Sequence, residues 1–150
     1  MKFLTQNVLQ ASVSIDDEIV GAIDQGLLVL IGVSDTDTYA TADKMIQKLL
    51  NLRIFEDENG KTNINIFDAK GELLLVSQFT LYADCKHGNR PSFIRAGKPD
   101  HAVDLYEYII KKCKESGLNV ATGKFGAYMQ VSLVNNGPFT VILDSEELGY

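Results

Sequence analysis

The seven residues Leu27-Leu28-Val29-Leu30-Ile31-Gly32-Val33 form an unbroken apolar run between turn-forming neighbours. The run is far shorter than the ~18 residues a membrane helix needs. It predicts a strand buried on both faces. The segments before it also read as strands: Val8 to Ile15 alternates loosely, and Glu18 to Ile23 follows Asp16-Asp17. After it the period changes. Ala42, Met45, Ile46, Leu49 and Leu50 recur at helical spacing behind the cap-rich Ser34-Asp35-Thr36-Asp37-Thr38, which predicts a helix laid on a sheet.

Arg53–Glu56 and Lys61–Phe67 flank Asp57-Glu58-Asn59-Gly60, and the Asn-Gly pair suits a tight hairpin. Leu73–Val76 begins another strong strand. A second helix starts at Pro99, a favoured first helical position. It carries Ala102, Tyr106, Ile109, Ile110 and Cys113 on one face, with Gly117 as its left-handed cap. Met129, Val131 and Leu133 then alternate with polar residues, and Phe139, Val141 and Leu143 resume the alternation after Asn135-Asn136-Gly137-Pro138. Two helices and about eight strands in β-rich blocks predict an α+β fold rather than a βαβ repeat. A chain of 150 residues with no Pro/Gly/Ser-rich linker or repeat fits one domain, residues 1–150.

Two cysteines make no disulfide framework, and no C-x-x-C pair points to zinc. The start lacks a signal-peptide core, so the expectation is a reduced, cytoplasmic protein without a membrane span, metal or cofactor. Net charge is −6, which argues against nonspecific coating of nucleic acid. Its distribution is uneven. Residues 86–124 hold eight of the fourteen basic side chains against four acids, a local +4 that leaves −10 for the rest. Lys86, Arg90, Arg95 and Lys98 have no acid among them. Such a patch suits an anion gripped at one place, or else is a solvated face.

The usual catalytic signatures are missing: there is no G-x-S-x-G, H-E-x-x-H or G-x-x-x-x-G-K. His87 and His101 read as surface or capping residues. Cys85 follows Asp84, whose carboxylate disfavours a thiolate, and Cys113 faces the core. Ser77-Gln78-Phe79-Thr80 is more informative, because it extends an aliphatic strand with hydroxyl and amide groups. It is either a strand surfacing at its edge or a strand end whose backbone N–H groups and short polar side chains hold a carbonyl oxygen. Asn135-Asn136-Gly137-Pro138 is either a hairpin turn or a stiff backbone device, since proline offers no N–H and admits a cis bond.

These blocks, in this order, resemble the D-aminoacyl-tRNA deacylase family from Ala11-Ser12-Val13 to Leu143-Asp144. The matching segments are Gly26–Val33, Leu52-Arg53-Ile54-Phe55, Ser77-Gln78-Phe79-Thr80-Leu81, Arg90-Pro91-Ser92-Phe93 and Met129–Pro138. The resemblance implies a β-rich, barrel-like domain with two main helices that works as a homodimer on aminoacyl-tRNA. It implies that Gly137 and Pro138, joined by a cis bond, enter the partner's pocket, receive the substrate's amino group and reject L-residues by clash. Glycine would pass, so glycyl-tRNA mischarged on tRNA(Ala) is an expected side substrate.

It also implies that the Phe79 and Thr80 N–H groups hold the ester carbonyl and that Ser77, Gln78 and Thr80 align reactants. The terminal adenosine's 2′-hydroxyl would assist, and Phe125 and Met129 would line the pocket. Lys86, Arg90, Arg95 and Lys98 are expected at acceptor-stem phosphates, and duplex DNA is not an expected partner. The rival expectation is a non-catalytic tRNA-binding or synthetase-associated editing module. The chain departs from the family pattern at Asn7, where relatives usually carry an arginine associated with steadying the Gly-Pro segment. It also departs at Asn136, where aspartate is frequent, and at Phe139, where valine is usual.

Overall fold

The apolar run is the spine of the molecule. A computed structural model describes all residues, 1–150. In it β3 (Gly26–Gly32) pairs antiparallel with β1 (Lys2–Ile15) and parallel with β6 (Glu72–Ser77). Leu27, Val29 and Ile31 face one apolar cluster with Phe3, Met45, Leu49, Leu105 and Ile109, while Leu28 faces a second with Val8, Val13, Leu74 and Val76. Both faces of the strand are thus covered, as the sequence predicts.

The main sheet runs β2 (Glu18–Ile23), β1, β3, β6, β7 (Val120–Thr122), with β8 (Gln130–Asp144) on the other edge of β1. The mixed sheet curls until its ends approach. Gly21 on β2 lies against the Thr122 backbone on β7, where a Cβ would stand 2.4 Å from the Thr122 carbonyl oxygen. No ladder joins these two strands, so the nearly barrel-shaped sheet closes by contact at a residue without a side chain. β4 (Phe55–Glu56) and β5 (Thr62–Ile64) form the predicted small hairpin. In its turn the Asp57 carboxylate accepts the Lys61 and Asn59 N–H groups, which hold its pKa below the ordinary value.

Helix α1 (Tyr39–Leu50) starts where Thr38 accepts the Thr41 N–H, and its five predicted apolar residues are all buried. Helix α2 (Pro99–Glu115) buries Ala102, Leu105, Tyr106, Ile109 and Cys113, and Gly117 follows at φ +87°. The helices are tied reciprocally: Tyr39 donates to Asp104 at 2.5 Å, and Tyr108 donates to Asp43 at 2.8 Å. Neither helix is long and apolar enough to cross a membrane.

Two expectations need correcting, and one strand is additional. β1 begins at Lys2 rather than Val8, since Lys2 to Gln6 pair with both β3 and β8; the inward Thr5 and Asn7 are polar and mask the alternation in the sequence. Val120–Thr122 is a strand with no sequence signal of its own. Asn135-Asn136-Gly137-Pro138 is no hairpin. β8 continues through it, and both halves pair with β1.

Candidate active site

Ser77 is the last residue of β6 and pairs with Ile31. The next residue still belongs to the ladder, since the Gln78 N–H donates to the Ile31 carbonyl at 2.7 Å. The chain then winds into a single 3-10 turn, Phe79–Tyr82. The strand end expected at 77–81 is therefore a strand terminus at Ser77 followed by a turn. This matters chemically, because the turn's first internal bond is Leu81 N–H to the Gln78 carbonyl, at 3.3 Å. No side chain caps the start, so the Phe79 and Thr80 N–H groups have no partner inside the turn. The Gln78 side-chain amide donates to Thr80 Oγ1 at 2.5 Å, fixing the two polar side chains against each other.

Beside this turn opens a cleft of about 800 Å³. Val76, Ser77, Gln78 and Phe79 form one wall. The first turns of α2 and the segment Phe93–Pro99 form another, and the loop Phe125–Met129 closes the third side. Its surface is mostly apolar. Phe79, more than half exposed, meets Phe93 edge to face at 5.0 Å, while Ile94 and Tyr128 are each 91% exposed. Exposed aromatic surface around a concave, mainly apolar site is the usual form of a small-molecule pocket. Phe125 packs near Tyr106 with ring centres 6.0 Å apart, and the buried Tyr106 hydroxyl donates to the Leu75 carbonyl at 2.8 Å.

The only carboxylate and the only ammonium lining the cleft are Asp35 and Lys98, and Asp35 accepts the Lys98 backbone N–H at 2.8 Å. No histidine or cysteine lines it. Cys85 is exposed elsewhere, and burial pushes the Cys113 thiol up to about 12. His101 Nε2 lies 3.1 Å from the Asp37 carbonyl oxygen. The polar side chains that line this cleft are thus Ser77, Gln78, Asp35, Lys98, Tyr106 and Tyr128.

The remaining predicted residues divide. Phe125, Met129 and Lys98 line the cleft; Thr80 adjoins it through Gln78. Lys86 and Arg90 project from a loop pinched by paired backbone bonds between Asp84 and Ser92, at 2.7 and 2.9 Å. Arg95 reaches Glu146 at 3.5 Å in an exposed pair.

Gly137 and Pro138 do not line the cleft of their own chain. Gln6 and Val8 of β1 pair with Thr140 and Asn135 of β8, so the four residues 136–139 stand opposite the single Asn7 as a wide bulge. The Gly137-Pro138 bond is cis and Gly137 has φ +129°. Asn7 is buried behind the bulge. Its Nδ2 donates to the Ile54 carbonyl at 2.9 Å, and its Oδ1 has no partner. Sequence reasoning missed Asp35, Phe93, Tyr106 and Tyr128 as cleft residues. Tyr106 reads only as core, Asp35 only as part of a helix-capping segment and Phe93 only as part of a matching segment, and Tyr128 carries no signal of its own.

Comparison with known proteins identifies the family and the fold. The family model described as D-Tyr-tRNA(Tyr) deacylase matches residues 4–144. The D-aminoacyl-tRNA deacylase of Clostridioides difficile (strain 630) is 50% identical over 147 residues, covering 98% of this chain and 99% of that protein. That of Bacillus cytotoxicus is 51% identical, covering 97% and 100%. Among solved structures, the c-Myc DNA Unwinding Element Binding Protein superposes with a TM-score of 0.91 at 40% identity, covering 96% of this chain and 98% of its own. A probable eukaryotic D-amino acid tRNA deacylase shares the fold at a TM-score of 0.76 and 20% identity, with 95% and 97% covered. The chain belongs to the D-Tyr-tRNA(Tyr) deacylase family and is, as a member, a hydrolase of carboxylic ester bonds.

Proposed function

We propose that this protein hydrolyses the ester bond of D-aminoacyl-tRNA, releasing tRNA and a D-amino acid. The observation that carries the reading is the pair of Phe79 and Thr80 N–H groups, unpartnered within the turn beside an apolar cleft. Rigid backbone donors of this kind stabilise the charge that develops on a carbonyl oxygen under attack, a contribution of roughly 3–4 kcal/mol per donor. The attacking water needs no histidine when the adenosine 2′-hydroxyl lies beside the ester. Phe125, Met129 and the exposed aromatic rim supply apolar contact for the adenosine and the aminoacyl group.

Enantiomer choice belongs to a second subunit. The 136–139 bulge lies outside its own chain's cleft, and β8 presents a 15-residue edge unpaired on one side, with Val134 and Ile142 exposed along it. Long open edges call for cover, and a homodimer built there would deliver Gly137 and Pro138 into the partner's cleft. Main-chain carbonyls would hold the substrate's amino group, and an L side chain would run into fixed backbone. Glycine has no side chain to reject, so glycyl-tRNA is a side substrate. Lys98, at the cleft, with Lys86 and Arg90 on their loop and Arg95, contacts acceptor-stem phosphates.

A cytoplasmic enzyme acting on tRNA is consistent with this charge pattern. Duplex DNA is not a partner we propose, despite the name of the 40%-identical structural relative, because the net −6 body offers only one local basic patch. The decisive experiment compares hydrolysis of D-tyrosyl-tRNA with L-tyrosyl-tRNA. A D-specific rate at least ~1,000-fold above the L-rate is expected, equivalent to about 4 kcal/mol. Salt-sensitive tRNA binding with the ester left intact would instead identify a non-catalytic binding module.

A further inference from the structure

We infer that Met129 is a positioning residue whose thioether latches the loop Gly123–Tyr128 as a wall of the cleft. Between Thr122, where β7 ends, and Gln130, where β8 begins, the chain has no ladder to hold it. Two anchors replace the ladder. At the near end the Gly123 N–H donates to the Leu75 carbonyl at 3.0 Å, the same oxygen that takes the Tyr106 hydroxyl. One residue on, the Lys124 N–H donates to Met129 Sδ at 3.4 Å, within the range for a sulfur acceptor.

The seat for that sulfur is made by glycine. A Cβ at position 123 would stand 2.6 Å from Sδ, well inside contact distance. Met129 also packs against the cluster that includes Val8 and Val76. Above it, the loop folds into a turn closed by Ala127 N–H to the Lys124 carbonyl at 3.2 Å, with Gly126 at φ +73°. The turn sets Phe125 near Tyr106 and leaves Tyr128 overhanging the mouth. Met129 therefore does more than line the cleft. It closes the loop that carries two aromatic wall residues, using a weak acceptor that an aliphatic side chain of the same volume lacks.

The catalytic consequence rests on the deacylase reading, whereas the latch itself does not. Two variants separate them. Met129→Leu keeps the volume and removes the acceptor; Met129→Gln keeps the length and restores an acceptor oxygen. The first measurement is hydrogen exchange at the Lys124 amide in the substrate-free protein, and the second is KM and kcat for D-tyrosyl-tRNA. Leu is expected to speed Lys124 exchange and raise KM by about two- to threefold, the low end of one net hydrogen bond because sulfur is a weak acceptor, with a smaller change in kcat. Gln should return both toward the unmodified values. Unchanged Lys124 exchange and KM in the Leu variant, or a Gln variant no better than Leu, overturns the latch. If the unmodified protein cleaves no D-aminoacyl-tRNA, the deacylase reading fails and Lys124 exchange alone decides the latch.

Discussion

Gln78 and Thr80 are locked side chain to side chain, the Gln78 amide donating to Thr80 Oγ1 at 2.5 Å across the start of the 3-10 turn. The bond occupies one lone pair of Thr80 Oγ1 and leaves its hydroxyl proton free, and the two backbone N–H groups beside it have no partner within the turn. Thr80→Val preserves those N–H groups and should lower the single-turnover rate by less than ~10-fold. Thr80→Pro removes a donor and should lower it by about 100- to 1,000-fold. Equal losses in the two variants would move the chemistry from the backbone to the hydroxyl.

The bulge can be tested at Gly137. Its φ of +129° is closed to L side chains, and a Cβ there would lie 2.8 Å from the Phe139 nitrogen. Gly137→Ala should therefore shift residues 136–139, at a cost of about 1–3 kcal/mol in stability. The ratio of D- to L-tyrosyl-tRNA cleavage should fall with it. An unaltered ratio, measured on protein that remains folded, would falsify the role assigned to this segment in chiral choice.

Sheet closure makes a purely structural prediction. Gly21→Ala pushes a methyl group into the Thr122 backbone, an overpacking that typically costs about 1–3 kcal/mol. Urea unfolding should show a lower midpoint, with deacylation at 25 °C retained by the folded fraction.

Alkaline stability should depend on Cys113. Its thiol is raised to about 12 by burial, against roughly 8.5 in an unfolded chain. Because the folded state holds the proton more tightly, its contribution is complete below pH ~8.5 and is lost as pH rises toward 12, at about 1.4 kcal/mol per unit. Cys113→Ala should flatten the decline of unfolding free energy between pH 9 and 11. At pH 8 a thiol reagent should label Cys85 alone in the native protein, and Cys85→Ser should retain near-normal activity.

The basic loop sets the ionic-strength response. Lys86→Ala with Arg90→Ala should raise KM and reduce the slope of log affinity against log salt by up to about 2, since each lost phosphate contact removes roughly 0.7–0.9. kcat should be little changed. A salt slope equal to that of the unmodified protein would place the tRNA elsewhere.

What could be read from sequence follows from how locally each feature is determined. The β3 run and the apolar spacing of α1 report their own burial, so both were legible residue by residue. β1 was read only from Val8 because Thr5 and Asn7 occupy inward positions, and β7 passed unseen because three residues hold too little pattern. At Ser77–Thr80 and Asn135–Pro138 the polar and special residues stood out, but the local shapes did not. One is a turn after a strand end, set by the last ladder bond to Ile31; the other is a bulge, set by pairing with β1 more than a hundred residues away. The cleft's third wall depends on a sulfur contact that no periodicity encodes.

The bulge in β8 is anchored at both ends by the same neighbouring strand: Thr140 to Asp144 pair with Gln6 to Lys2 on one side, and Asn135 to Gln130 pair with Val8 to Ser14 on the other. It behaves like an arch whose two footings share one foundation. Gly137 and Pro138 stand exposed at its crown, while Asn136 and Phe139 are half-buried at its flanks and Phe139 packs against the main apolar cluster. The span between the footings is therefore fixed in residue number, because a single insertion or deletion would change the arch itself, and in identity at Gly137, which no side chain can replace without strain.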